Sequence, residues 1–97
     1  MKYVYVMIKF GIDNINCSVM YDQIVKIFIN HEKAIDFIKG YVYDEINQLE
    51  WSEETNYDQV CNIDDIEKYV ETETGYRLFR DYDTTHWIRL FRKEITE

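Results

Sequence analysis

The sequence predicts an α+β domain: an antiparallel sheet of about four strands, in chain order ββααββ, with one long and one short helix on one face. Three observations carry that expectation. Residues 3–10 and 76–94 are rich in β-branched and aromatic side chains of the kind that form strands. Residues 31 to about 50 repeat their apolar positions every three or four. Strand-like runs at both ends with helical runs between them suit helices packed on one antiparallel sheet. At 97 residues and 46% apolar, the chain is expected to form one domain, 1–97, around a single core.

YVYVMIKF, residues 3–10, places Val4, Val6, Ile8 and Phe10 on one side and Tyr3, Tyr5, Met7 and Lys9 on the other. Both sides are largely apolar, which predicts an interior strand closed by Gly11, with GIDN as the turn. Residues 15–29 read as one bent strand or two short ones around Tyr21-Asp22, with Val25, Ile27 and Ile29 toward the core. Asn30 is placed to cap a helix that has Glu32 in its first turn. Ala34, Ile38, Tyr41, Val42 and Leu49, flanked by Ile35 and Ile46, form the buried stripe, and Gly40 sits inside it at a cost of about 1 kcal/mol relative to Ala.

Residues 51–61 have no period and read as a loop. Asn62 opens a shorter helix with Ile63, Ile66 and Val70 inward, and Gly75 is expected at its left-handed C-terminal position. The remainder reads as a hairpin, with Leu78, Phe79, Ile88, Leu90 and Phe91 in the core. Its RLFR segment occurs twice, at 77–80 and 89–92. A turn centred on Thr84-Thr85 would set Arg80 opposite Arg89 and Arg77 opposite Arg92. Like charges so placed repel, so either the register differs or acidic groups neutralise the arginines.

Composition narrows the function. Net charge is −8, which opposes general affinity for nucleic acid or an anionic membrane. No segment has membrane-spanning length, the N-terminus lacks the pattern of a signal peptide, and Cys17 and Cys61 form no disulfide framework. A cytoplasmic protein with reduced thiols is therefore expected. His31 and His86 lie outside any zinc-type spacing, and Asp81-Tyr82-Asp83 lacks the glycine and closing Glu of a calcium loop. With three glycines there is no phosphate-binding loop or nucleophile elbow. No metal, cofactor or catalytic residue is expected.

The charge is uneven. Residues 44–73 hold eleven acidic side chains against one basic residue, Lys68, while both flanks are close to neutral. A solvated exterior is the plain explanation. The functional one is an anionic surface that a cationic, nucleic-acid-binding groove would accept in place of phosphates. Its contact residues would be Asp44, Glu45, Glu50, Glu53, Glu54, Asp58, Asp64, Asp65, Glu67, Glu71 and Glu73, with Trp51, Tyr57 and Tyr69 adding aromatic contacts. The partner would be a host nucleic-acid-binding protein. An alternative site is the C-terminal hairpin, where Arg77, Arg80, Arg89 and Arg92 with Trp87 would hold a nucleotide or another anion. A third expectation is self-association, as a homodimer or a structural component, through exposed aromatic surface and edge strands.

Residues 1–43 resemble a pattern common in short proteins of phages and mobile elements from low-G+C Gram-positive bacteria. The matching features are Met-x-x-Val-Tyr-Val through Tyr3 to Val6, a second strand ending in Phe28, and a helix opened by Glu32, Lys33 and Ala34. In size, charge and composition the chain is also similar to phage-encoded anti-CRISPR and other anti-defence proteins, several of which are acidic and occupy nucleic-acid grooves. That resemblance implies an inhibitor that excludes DNA or RNA from a defence protein without chemistry.

Overall fold

A computed structural model of the chain describes residues 2–48, 58–59, 63–81 and 83–96. Its spine is the antiparallel pair of β1 (Lys2–Asp13) and β5 (Thr84–Ile95), matched without interruption from Lys2 opposite Ile95 to Asp13 opposite Thr84. β2 (Ser18–Phe28) flanks β1, α1 (His31–Gln48) follows, and β3 (Asp58–Gln59) is a two-residue edge piece. A 3-10 turn over Ile63–Asp65 leads into the single-turn α2 (Ile66–Tyr69), and β4 (Tyr76–Asp81) returns to β5. The sheet order is β2-β1-β5-β4-β3. The α+β class holds, and β1 is an interior strand. The finer order differs, because Asp58–Gln59 adds a fifth strand inside the segment expected to be a loop.

β1 runs through Gly11 where the sequence suggested a turn. The reason is Tyr21, whose ring lies across the bare Gly11 backbone and fills the space a Cβ would take. The Tyr21 hydroxyl and His86 Nδ1, one strand beyond, share a 2.6 Å hydrogen bond. The turn falls instead at residues 14–17. There the Asp13 carboxylate accepts from the Ile15 and Asn16 amides, and Cys17 takes a left-handed conformation at φ 53°. Those contacts, the Ile15 amide first, hold the Asp13 carboxyl below its ordinary value.

β2 is one strand with two irregularities. The pairing skips Met20 and Val25, so each is an extra, bulged residue. The second bulge corrects an expectation. Val25 does lean on the core, but the alternation resets after it, so Phe28 packs inward while Ile27 and Ile29 are 55% and 86% exposed. The C-terminal hairpin also departs from its expected register. Only two residues separate β4 from β5, which sets Arg80 opposite Thr85 and Arg77 opposite Trp87. No arginine faces another across that pair. A bulge at Leu78 lets both Leu78 and Phe79 enter the core, which strict alternation forbids.

Both helices lie on one side of the sheet. Ala34, Ile35, Ile38 and Val42 of α1 meet Met7, Ile88 and Leu90, while Ile66 and Val70 close the other end. Leu49, Asn62 and the side chains of Ile46 and Ile63 lie outside the described residues. Asn30 caps α1 as expected, its side-chain oxygen accepting from the Lys33 amide at 3.1 Å. α2 ends at Tyr69 with Val70 as its cap, so Gly75 is not its terminator; it takes φ 84° just before β4, packed against the Ile88 carbonyl. The Leu90 amide, beyond the reach of β4, donates to the Val70 carbonyl at 2.8 Å.

Core packing outweighs local propensity here. Truncating Ile38 or Leu90 to Ala would cost about 2–5 kcal/mol, against about 1 kcal/mol lost by having Gly40 in the helix. Gly40 is exposed, with open space where a Cβ would go. Gly40→Ala is expected to raise stability by about 0.5–1 kcal/mol in urea denaturation. Gly75→Ala is expected to lower it by more than that, through the positive φ and the Ile88 carbonyl.

Candidate partner-binding surfaces

The helical layer carries an anionic groove. Glu32 and Asp36 stand one turn apart on α1, and Glu67 and Glu71 face them from α2 and the turn after it. With His31 and Ile35 they line an open groove of about 560 Å3. Two contacts bridge it: His31 Nε2 lies 2.8 Å from Glu71 Oε1, and the Lys39 ammonium donates to Glu67 Oε1 at 2.8 Å. Hydrogen bonding, with mutual charge, raises the Lys39 ammonium and lowers the Glu67 carboxyl from their ordinary values. Both ends are solvated, so the pair contributes little stability.

Only part of the expected acidic pool meets there. Glu67 and Glu71 are in the groove. Asp44 is exposed further along α1, Asp64 is exposed and Asp65 is half-buried. Glu45 turns to the sheet, where it accepts from the Lys9 ammonium at 3.2 Å. Glu73 lies at the opposite surface beside Arg89. Glu50, Trp51, Glu53, Glu54 and Tyr57 lie outside the described residues, as does the side chain of Asp58. The block read along the chain is thus divided by the fold, and Glu32 and Asp36 were missed. Lys33 and Lys39 cancel them in any running charge count, but their four-residue spacing places both acids on one helix face.

The alternative arginine site is assembled in part. Positions facing each other across the strands share a side of the sheet, so Arg77, Arg80, Trp87 and Arg89 all stand on the side away from the helices. Trp87 stacks on Phe10 with ring centroids 6.3 Å apart. Arg77 and Trp87 border a cleft of about 270 Å3 with Tyr69, Thr74 and Gly75. Arg92 is not part of it. It pairs with Tyr5 on the helix side, its guanidinium 4.3 Å above the Tyr3 ring.

Among the described residues, no group of three or more His, Cys, Asp or Glu side chains is arranged to hold a metal ion. No helix among them is long and apolar enough to cross a membrane.

Glu45 also acts on Tyr41. Burial, then the hydrogen bond to Glu45 and that carboxylate's charge, push the Tyr41 phenol up to about 12. The ordinary value is about 10, so the folded state holds this proton more tightly than the unfolded chain. Its stabilising contribution is complete below about pH 10 and is lost as pH rises through about 12. Tyr41→Phe is therefore expected to flatten the alkaline decline of stability in that window. Spectrophotometric titration of tyrosinate should lose a step near 12.

No protein family, no curated protein and no solved structure matches this chain.

Proposed function

We propose that this chain is a phage-type inhibitor whose acidic helical layer enters the cationic groove of a host nucleic-acid-binding defence protein, such as a CRISPR nuclease, and keeps DNA or RNA out. The observation that supports the reading most directly is the gathering of Glu32, Asp36, Glu67 and Glu71 along one open groove. Carboxylates one helical turn apart sit about 5–6 Å from one another at their Cβ atoms. To a row of Lys and Arg side chains they offer repeated negative charge on a scaffold that loses little entropy on binding, because α1 is packed on the core.

Association would be steered by charge and weakened by salt, as for any surface that competes with phosphates. The inhibitor makes and breaks no bonds; it excludes. Asp44 would extend the contact along α1, and the remaining acids of 50–58 belong to the same proposal.

The test is displacement. RNA-guided nucleases and other bacterial defence proteins are loaded with labelled oligonucleotide and titrated with the chain at low and moderate salt. Release is expected for at least one of them. The reversal set Glu32→Lys, Asp36→Lys, Glu67→Lys and Glu71→Lys should weaken release by roughly tenfold or more, with an unchanged circular dichroism spectrum. Release by no protein in the panel, or equal release by the reversed variant, would defeat the proposal.

A further inference from the structure

On the sheet surface away from the helices, the part formed by β2 and β1 is uncovered and largely apolar. Val19, Ile24 and Ile27 on β2 are 62%, 63% and 55% exposed there, beside Ile8 and Phe10 of β1. Val6, on the same side, is buried by its neighbours alone and stands outside the core cluster. We propose that this surface docks a second copy of the chain, sheet against sheet, giving a two-fold dimer with both helical layers outward. The proposal is independent of the groove reading.

Area is the first argument. Strands of 11–12 residues at about 3.3 Å per residue and about 4.8 Å apart make a flat face of very roughly 40 by 15 Å. With side-chain relief, that approaches the ~800 Å2 per partner that a stable complex buries. A nucleotide would cover a corner of it and leave the β2 isoleucines in water.

Charge is the second argument. The Arg89 guanidinium borders an open cleft on this side of the sheet. Asp22 and Glu73 line the cleft of about 260 Å3 next to Arg89. Two carboxylates there repel a phosphate, which counts against a free anion. Across a two-fold axis the same groups become complementary: Asp22 of each copy serves Arg89 of the other, and every such contact occurs twice. The thickness of the molecule, about 19 Å along its shortest axis, exceeds the ~8 Å screening length, so the acidic helices of one copy do not repel those of the other strongly.

The third argument concerns mode. β2 is an edge strand of the sheet, yet its two bulges and Lys26 break the regular row of donors and acceptors that strand addition needs. Docking therefore uses the face and not the edge.

Sedimentation equilibrium of the full chain over a wide concentration range provides the test. The wild type is expected to be dimeric. Ile24→Glu and Ile27→Glu, each at an exposed position outside the core, should keep the wild-type circular dichroism spectrum and weaken dimerisation by at least about 100-fold. Parallel titrations use inorganic phosphate and a labelled oligothymidylate. A wild type that stays monomeric at every concentration overturns the proposal, and so does a dimer unaffected by either substitution. A monomer that binds the oligothymidylate overturns it in favour of nucleic acid as the occupant.

Discussion

The ladder between the first and last strands is the constraint from which the remaining geometry follows. By fixing β1 against β5 over twelve matched pairs, it decides which side chains share a side of the sheet. Met7, Ile88 and Leu90 are set toward α1, and Val6, Phe10, Trp87 and Arg89 away from it. A one-residue slip in this ladder would exchange the two sets and expose the core. Everything else is attached to it: β2 on one flank, β4 on the other, and the turn after α2 on the part of β5 that β4 does not reach.

Burial is one-sided as a result. Helices cover one face, so a short chain has a packed core on one side and a layer of solvated charge beyond it. Glu32, Asp36, Glu67 and Glu71 gather where α1 and α2 approach each other, while Arg77, Arg80 and Arg89 fall on the far side. The molecule is therefore electrically layered, and a net charge of −8 describes neither surface. This separation keeps Arg77 and Arg89 away from the groove. Arg77 and Arg89 stand across the sheet from Glu67 and Glu71, and Lys39 and His31 make the contacts instead.

The legible parts of the sequence were those governed by local chemistry. The Asn30 cap, the α1 stripe of Ala34, Ile38 and Val42, and the strand character of both ends needed only short-range rules. The illegible parts were set by long-range events. Bulges at Val25 and Leu78 reset the alternation, and no periodic pattern announces where a strand will gain a residue. Gly11 read as a breaker because its partner Tyr21, ten residues on, supplies the bulk that glycine lacks. The acidic groove was half legible. Glu67 and Glu71 belonged to an obvious run, whereas Glu32 and Asp36 were hidden by adjacent lysines and became neighbours of that run only once α2 packed beside α1.

The central ladder joins residues 2–13 to residues 84–95, nearly the full length of chain apart. Contacts so distant in sequence require closing a very large loop before they return any energy, which places the domain among slow-folding topologies. During synthesis the hairpin of β1 and β2 and the α1 helix can form early, but their apolar surfaces stay uncovered until β5 has been made. For that interval the nascent chain exposes apolar surface, an aggregation hazard that only the arrival of β5 removes.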